Sequence, residues 1–382
     1  MATYLLVSGD FSPWGGMDRA NYELAWHLAH RVGARVHLVS HHVHPQLAAH
    51  ANVTWHRVAK PLNSYQLAGS LLARKGRQVA RILKGQGARV VVNGGNCPWP
   101  DVNWVHAVHA AWDNRHAGAP VWFRLKNRWA KASARRAEAR VLRMARVVLA
   151  NSQRTRQQII QHLDIPPERV HVVYLGVDAS AFRSVTEVEQ AEVRRELGLG
   201  SDRLLAIFVG ALGYDRNKGF DVLFAAWKTL CQNSEWDVDL VVVGAGAELA
   251  TWQERVREVG LGKRIRFLGY RQDVPRVLAA CAVLVHPAQY EAYGLCVQEA
   301  LSRGLPALVS ARAGIAERYP PELQDLLIAD SEDPAALADR LIHWRYNLEK
   351  FRAAVIPLSN SLRRYTWDHM AERIVQIVRE AA

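Results

Sequence analysis

Cysteine is scarce in this sequence, and its spacing does not match a metal-binding pattern. The 382 residues contain four cysteines, and no two of them form a CxxC pair: Cys97, Cys231, Cys281 and Cys296. The histidine-rich stretch SHHVHP, residues 40–45, lacks an HEXXH motif and an acidic neighbour. These absences argue against a disulfide-bonded secreted domain and a structural zinc site. We therefore expect a reduced, cytoplasmic protein with no metal site.

Long apolar runs are also absent. None approaches the roughly 20 residues that a membrane-spanning helix needs. The first residues, MATYLLVSGDF, lack the basic start, long apolar segment and cleavage site of a signal peptide. The P-loop pattern G-x4-GK-[ST] does not occur either, which argues against that type of nucleotide site.

Positive charge is abundant, but it is unevenly distributed. Residues 1–181 contain 24 Lys and Arg against 9 Asp and Glu, whereas residues 182–382 contain 25 against 27. A basic, partly aromatic helix with nine Lys or Arg and one acid is predicted over residues 123–146. The first half is expected to meet an anionic partner, and a membrane surface, a phosphorylated acceptor and nucleic acid all fit that description.

Strand and helix patterns alternate along both halves of the chain. Short apolar, β-branched runs such as YLLVS and LLAIFVGAL are each followed by a segment with helical spacing. Repeated βα units predict parallel sheets with helices on both faces, and two such series predict two Rossmann-like domains. We expect domains at residues 1–181 and 199–365, joined by a polar connection at 182–198.

The stretch HPAQYEAYGLCVQEALSRG, which begins at His286, combines a strand end, a glycine and two carboxylates. Gly294 permits a tight turn before a helix whose first N–H groups can attract phosphate. Glu291 lies in the preceding loop, and Glu299 lies more than one turn into the helix. Both carboxylates can accept hydrogen bonds from sugar or ribose hydroxyls, so the segment predicts a site for a phosphorylated sugar compound.

This segment resembles the E-x7-E signature of the retaining GT-B glycosyltransferases of family 4, also called group 1. The matching pattern is P-x3-E-x2-G-L-x3-EA-x3-G-x-P, from Pro287 to Pro306. Further similarity covers nearly the whole chain, in the segments FSPWGGMDRANYELA, ANSQRTRQQI, YLGVD and FVGALGYDRNKGFDVLFAAW. The resemblance implies the GT-B fold, with a C-terminal helix at about 366–382 crossing back onto the first domain.

The resemblance also implies a reaction and residue roles. The chain is expected to move a hexose-type sugar from a UDP- or GDP-sugar to a hydroxyl of a glycan, glycolipid or other acceptor, with retention at the anomeric carbon. Glu299 would bind the ribose, Glu291 the donor sugar and Lys218 the diphosphate, helped by the backbone of Gly294 and Leu295. No cofactor or metal ion is expected to be required, because cationic side chains neutralise the leaving group.

The region after the first strand of the second domain departs from the family pattern. Family members usually have an arginine directly after the glycine at this position, but here Ala211 follows Gly210. Arg216 is the candidate for the second positive charge. Gly210 is also assigned to the donor site, and the resemblance places Gly244, in the fragment GAGAEL, beside the nucleotide base.

The first domain offers fewer candidates. Gly15 and Gly16 form a loop after the first strand, where backbone without side chains can closely approach a phosphate or sugar. The resemblance also implies a histidine near the reacting sugar, and His109 matches its position better than His106.

Other functional classes stay open from the sequence. A glycoside hydrolase would also use paired carboxylates, and a nucleotide-sugar epimerase could share the fold. The basic half could belong to a nucleic-acid-binding protein, although the aromatic stacking platforms typical of that class are not evident and no nucleic acid is expected. Peripheral contact with the inner face of an anionic membrane is our preferred interpretation of the basic helix.

Overall fold

The computed structural model describes residues 1–112, 119–200 and 202–381, which form two compact units. Unit 1 comprises residues 1–112, 121–176 and 365–381, and unit 2 is built mainly from residues 177–364. Each unit contains one large parallel sheet with helices packed against it, so the α/β architecture expected from the sequence is confirmed.

Unit 1 contains a seven-stranded sheet in the order β5-β3-β1-β6-β7-β8-β9 and a small pairing of β2 with β4. Its strands are rich in valine and leucine and largely buried, as expected for a parallel sheet covered on both faces. Their bounds are β1 Thr3–Val7, β2 Asp10–Phe11, β3 Arg35–Ser40, β4 His42–Val43, β5 Val53–Arg57, β6 Arg89–Asn93, β7 Val102–Val105, β8 Val147–Ala150 and β9 Val170–Val172.

Two helices of unit 1 begin at a serine cap. The hydroxyl of Ser64 accepts a hydrogen bond from the N–H of Leu67 at the start of α3, and Ser152 caps Thr155 in the same way at the start of α5. Asp164 ends α5 in the left-handed conformation. The helices are α1 Met17–His30, α2 Pro45–Ala48, α3 Tyr65–Lys84, α4 Val121–Met144 and α5 Gln153–Leu163.

Unit 2 contains a six-stranded parallel sheet in the order β12-β11-β10-β13-β14-β15. β10, the first strand of this unit in sequence, therefore lies in the middle of the sheet. The next two strands, β11 and β12, lie on one side of it, and β13, β14 and β15 lie on the other. This reversal produces a switch point between β10 and β13, where doubly wound sheets bind ligands. The strands are β10 Leu204–Val209, β11 Val238–Val243, β12 Ile265–Gly269, β13 Val283–His286, β14 Ala307–Ser310 and β15 Leu327–Ile328.

The segment predicted as a connection, residues 182–198, contains helix α6, which packs on unit 2. Thr186 and Glu189 form a reciprocal capping box at its start. Arg194 is buried and donates a hydrogen bond of 2.8 Å from Nε to the carbonyl oxygen of Ala280. The segment thus contributes a capping box and a buried arginine to unit 2, while most of its other charged side chains face solvent.

The remaining helices of unit 2 cover the sheet or pack against those that do. They are α6 Glu187–Glu196, α7 Phe220–Leu230, α8 Leu249–Glu258, α9 Val274–Ala279, α10 Leu295–Ser302, α11 Pro334–Tyr346 and α12 Leu348–Arg364.

Short 3-10 helices occur in both units, at Pro61–Asn63, Gly94–Asn96, His109–Ala111, Pro167–Arg169, Gly314–Arg318 and Pro321–Leu326. No helix in the described ranges is both long enough and apolar enough to cross a membrane.

The last helix, α13 Trp367–Glu380, belongs to unit 1 and packs along α1. Its inner face is apolar, and Met370, Ala371 and Ile374 are almost fully buried. At its first turn, Asp368 Oδ1 lies 2.7 Å from Nδ1 of the buried His27. A helix that follows unit 2 in the sequence therefore completes the core of unit 1.

Gly176 lies against the backbone at the start of α13, so a substitution there tests how closely this helix packs. A Cβ atom at this position would lie 2.4 Å from the backbone nitrogen of Trp367 and 2.5 Å from the carbonyl oxygen of Thr366. Because backbone cannot yield as a flexible side chain does, we expect Gly176→Ala to lower the free energy of unfolding by about 1–3 kcal/mol. Urea denaturation measures this loss, and limited trypsin digestion should show earlier cleavage near Arg364.

Gly69→Ala is the matched control, since a Cβ atom there would meet nothing within 4 Å and the residue lies within α3. Alanine in a helix should leave stability unchanged or raise it by roughly 0.5–1 kcal/mol. Equal stability of Gly176→Ala and the wild-type protein would show that α13 is not held at this contact.

Candidate active site

The switch point of unit 2 brings together two loops that carry five of the eleven predicted residues. β10 and β13 are adjacent and parallel, with Ala206 and Ile207 paired to Val283 and Leu284. Residues 210–219 follow β10 and lead into α7, while residues 287–294 follow β13 and lead into α10. The N–H of Gln289 donates a 2.9 Å hydrogen bond to the carbonyl oxygen of Asn217, which joins the two loops.

A compact charge cluster lies on these loops. The Nζ of Lys218 is 2.6 Å from Oε2 of Glu291, and the Nε2 of His286 is 3.0 Å from the same oxygen. The side chains of Lys218, Glu291 and His286 are 28%, 16% and 1% exposed, respectively. Lys218 and Glu291 can therefore reach a ligand, whereas His286 lies beneath them.

The cluster is ionised despite its burial. Burial alone would raise the pKa of Glu291, but Lys218 and His286 outweigh it and hold that pKa well below its usual range. Burial would likewise lower the pKa of Lys218, and the nearby Glu291 carboxylate raises it instead. The two side chains thus form an ion pair at neutral pH.

His286 has a second partner on its other ring nitrogen. Its Nδ1 lies 3.8 Å from Sγ of Cys296, in the first turn of α10. Burial would lower the pKa of His286, but the Cys296 sulfur and the Glu291 carboxylate outweigh it and raise the pKa to about 9. The imidazole is therefore cationic at neutral pH, and it links β13, the following loop and α10.

Two glycines of these loops adopt a left-handed backbone and leave no room for a Cβ atom. Gly219 has a φ of 73°, and a Cβ atom there would lie 2.0 Å from the carbonyl oxygen of Pro287. Gly294 has a φ of 108°, and its added Cβ would lie 2.9 Å from Cγ2 of Ile315. Gly294 also precedes α10 without capping it through a side chain, and its carbonyl oxygen accepts hydrogen bonds from the N–H groups of Val297 and Gln298. The N–H groups of Gly294 and Leu295 are therefore the candidates to bind a ligand.

The other donor-site candidates surround this cluster. A Cβ atom at Gly210 would lie 3.1 Å from Cγ of Lys218, so Gly210 is next to the lysine stem. Gly244 packs on Gly210, with its added Cβ 1.9 Å from the Gly210 carbonyl oxygen. Glu299 is half-buried on α10, about 6 Å further along the helix axis than Leu295.

Arg216 has a different partner from the one that the sequence suggested. Its Nη2 and Nε lie 3.0 and 3.2 Å from the two carboxylate oxygens of Glu248, which is buried at the start of α8. The backbone of Arg216 is also left-handed, with a φ of 48°. The guanidinium is predicted to supply a second charge for the diphosphate, and the structure shows it in a bidentate ion pair with Glu248.

Unit 1 holds the remaining candidates. Gly15 and Gly16 precede α1, and a Cβ atom at either would meet nothing within 4 Å, so this loop has open space around it. His109 lies in the 3-10 helix after β7, and its Nδ1 is 3.1 Å from Oε1 of Glu138 on α4. The alternative, His106, packs its ring on Trp104, and burial lowers its pKa to about 3.

Four residues at these sites were not predicted from the sequence, namely His286, Cys296, Glu248 and Glu138. His286 directly precedes the pattern that runs from Pro287 to Pro306, and Cys296 occupies one of the variable positions of that pattern. Glu138 is the one acid in the basic helix, and its buried carboxylate binds both the ring and the backbone N–H of His109. That isolated acid in a basic segment was the available signal.

Two carboxylates at the far end of the unit 2 sheet pair with arginines. Asp237 and Asp239 flank the first residue of β11, at the end of the sheet opposite the switch point. Asp237 pairs with Arg345, and Asp239 pairs with Arg203 and Arg264. Across the described portion of the chain, no group of three or more His, Cys, Asp or Glu side chains is arranged to hold a metal ion.

Two family models match the chain, one for each half. "Glycosyltransferase Family 4" matches residues 14–181, and "Glycosyl transferases group 1" matches residues 189–356. A D-inositol 3-phosphate glycosyltransferase of Corynebacterium urealyticum is 27% identical over 290 residues, which are 73% of this chain and 66% of that relative. An uncharacterized glycosyltransferase of Methanocaldococcus jannaschii is 24% identical over 61% of this chain and 60% of its own length.

Solved structures show the same fold over almost the whole length. A sucrose-phosphate synthase from Thermosynechococcus elongatus aligns with a TM-score of 0.79 at 20% identity, over 100% of this chain and 99% of that one. The Anabaena protein HepE, solved in complex with UDP and glucose, aligns with a TM-score of 0.72 at 19% identity, over 99% of each chain. The fold is therefore that of the GT-B glycosyltransferases.

The chain thus belongs to the group 1 glycosyltransferases of glycosyltransferase family 4. The resemblance seen in the sequence is confirmed at the level of family and fold. The chain spans about two thirds or less of the length of the curated relatives named here.

The raised pKa of His286 predicts a pH-dependent stability. Since the folded pKa is about 9 and the ordinary value is 6.5, the stabilising contribution is complete below about pH 6.5 and is lost as pH rises through about 9. We expect the difference in free energy of unfolding between the wild-type protein and His286→Leu to shrink over this range, by up to about 3 kcal/mol.

Urea denaturation at fixed pH values measures this difference. His162→Leu, at a solvent-exposed histidine of α5, is the control for the loss of an imidazole as such. A difference for His286→Leu that does not change with pH would mean that the buried imidazole is neutral.

Proposed function

We propose that this protein transfers a hexose-type sugar from a UDP- or GDP-sugar to an acceptor hydroxyl. The observation that carries the proposal is the ionised Lys218–Glu291 pair at the switch point of unit 2, next to the glycine-led start of α10. A cation and a set of free N–H groups favour a diphosphate, while a fixed carboxylate favours sugar hydroxyls. The complex of HepE with UDP and glucose, in a chain of the same fold, supports this choice.

Each residue of the site has a role in this proposal. Lys218 neutralises the charge that develops on the departing diphosphate, and the N–H groups at Gly294 and Leu295 add hydrogen bonds. Glu299 accepts hydrogen bonds from the ribose, and Gly210 and Gly244 leave room for the nucleotide. Arg216 is paired with Glu248, so its role is to hold the loop that carries Lys218. Lys218 is then the main cation that faces the diphosphate.

The acceptor and the stereochemistry are proposed from unit 1 and from the family motif. Gly15 and Gly16 supply backbone N–H groups, and His109, oriented by Glu138, presents its Nε2 edge toward a reacting sugar. The basic charge of this half favours a phosphorylated or lipid-linked acceptor. Retention requires the acceptor to arrive on the face from which the diphosphate departs, and the anomeric proton coupling in the product's NMR spectrum would report it.

We further propose that helix α4 docks on an anionic lipid surface. Trp122, Leu125 and Trp129 follow helical spacing and are 63%, 62% and 82% exposed. Arg124, Lys126 and Arg128 are exposed beside them, and the first four turns contain no acid. Exposed tryptophans within a basic helix match the chemistry of a lipid–water interface with negative headgroups.

The donor site predicts which variants lose nucleotide binding. UDP, GDP and ADP are each added at millimolar concentration to the wild-type protein, Lys218→Ala and Glu299→Ala, and the melting temperature is measured. We expect UDP or GDP to stabilise the wild-type protein by several degrees and to stabilise neither variant, because diphosphate and ribose contacts are lost.

Lys228→Ala is the matched control, at an exposed lysine in the last turn of α7. It should respond to the nucleotide as the wild-type protein does. If none of the three nucleotides shifts the wild-type melting temperature, the proposed donor site is wrong.

The α4 surface predicts selective vesicle binding. We expect the wild-type protein to sediment with phosphatidylglycerol vesicles and to stay in solution with phosphatidylcholine vesicles, because the basic side chains require anionic headgroups. A Trp122→Ser/Trp129→Ser double variant should bind about tenfold more weakly, since its apolar anchors are lost.

Tyr346→Ser, at a tyrosine that is exposed on unit 2, is the control and should bind like the wild-type protein. Equal binding to both vesicle types, or unchanged binding by the double variant, would contradict the proposal. A dimer that the double variant disrupts, without any vesicle binding, would make this face a self-association surface instead.

A further inference from the structure

One oxygen of Glu291 receives two cations. Lys218 Nζ and His286 Nε2 approach Oε2 at 2.6 and 3.0 Å, so Oε1 carries neither of these bonds. The two cations differ in access, since Lys218 is partly exposed and His286 is closed off from solvent. Lys218 can therefore turn toward a bound ligand, whereas His286 can act on that ligand only through Glu291.

Binding of a diphosphate changes the hydrogen bonds that Oε2 of Glu291 receives. In the proposed function, on which this inference rests, Lys218 directs its charge toward the phosphates of the donor. Its bond to Glu291 then weakens, and a mostly buried carboxylate loses a cationic partner. Such a carboxylate either takes up a proton or pays a desolvation cost, and a protonated Glu291 would hold sugar hydroxyls less firmly.

We propose that His286 is a positioning residue for sugar transfer, which keeps Glu291 ionised and oriented once Lys218 engages the donor. Its bond fixes Oε2 from below and leaves Oε1 to accept a hydrogen bond from a donor-sugar hydroxyl. His286 itself does not reach the donor, because its residue surface is fully buried at the end of β13. It acts only through Glu291.

The surroundings of His286 suit this role. The groups that face it are Glu291 from the following loop, Cys296 from α10 and, through Glu291, Lys218 from the loop before α7. Tyr319, which interacts electrostatically with Cys296, is itself buried and its pKa is raised by burial, so it stays neutral. The raised pKa of His286 keeps the imidazole cationic over the neutral range.

The backbone supports the same geometry. The carbonyl oxygen of Glu291 accepts a 3.1 Å hydrogen bond from the N–H of Gly314, and Tyr293 accepts one of 2.7 Å from Ile315. The loop that carries Glu291 is thus anchored on both sides. His286 needs to fix only the side chain, which a single hydrogen bond can do.

Binding of nucleotide sugar as a function of pH tests this role. UDP-glucose, UDP-galactose and GDP-mannose are titrated into the wild-type protein by calorimetry, and the tightest is then measured between pH 5.5 and 8.5 with each variant. We expect His286→Leu to bind it about tenfold more weakly than the wild-type protein near pH 8, where ionised Glu291 lacks a cation in the complex. Part of that loss should be recovered near pH 6, because Glu291 in the complex then takes up a proton, whereas the wild-type affinity stays nearly constant.

Two further variants separate positioning from simple structural damage. His286→Gln retains an N–H donor without the charge, so it should recover part of the affinity at pH 8 and little at pH 6. In a Glu291→Gln background, His286→Leu should cause no further loss, because the residue acts through Glu291. His162→Gln, at the exposed histidine of α5, should behave like the wild-type protein.

The results that overturn this inference differ from those that overturn the proposed function. Equal weakening by His286→Leu at every pH, or the same loss in the Glu291→Gln background, would make His286 a structural residue only. Failure of the wild-type protein to bind any of the three nucleotide sugars would instead overturn the donor site itself, and it would be evident before any variant is made.

Discussion

The close approach of two backbone loops sets the geometry of the site in unit 2. The Lys218–Glu291 ion pair forms because residues 210–219 and 287–294 follow adjacent strands and are joined by a hydrogen bond between their backbones. Glycine at 219 permits this approach, since any side chain there would collide with the Pro287 carbonyl. Strand order, loop length and glycine placement thus bring opposite charges from distant parts of the sequence into contact.

The sequence predicted the features that depend on local pattern. Alternating βα units gave the fold class, and the signature from Glu291 to Glu299 placed one carboxylate in a loop and the other on a helix, as the structure shows. The partners of side chains were harder to predict, because they depend on packing between segments that are far apart in sequence. Arg216 is the clearest example, since Glu248 lies 32 positions away and nothing in the local sequence indicates the pairing.

Composition was also an incomplete guide to the role of charged segments. Residues 182–198 look like a polar connection, yet Arg194 within them is buried and binds a backbone carbonyl of unit 2. Conversely, the basic helix α4 contains a single acid, and that acid is almost fully buried against His109. In both helices the average charge reflects the side chains that face solvent. The buried polar contact is made by the one residue that departs from this pattern, Arg194 in α6 and Glu138 in α4.

The assignment of α13 to unit 1 has a consequence for the order of folding. During synthesis, unit 2 has all of its strands and helices before α13 is made, whereas unit 1 lacks the helix that covers α1 until nearly all of the described chain has emerged. The unit whose sequence begins first is therefore completed last. The face of α1 that α13 covers therefore has no helix to pack against until the end of the described chain is made.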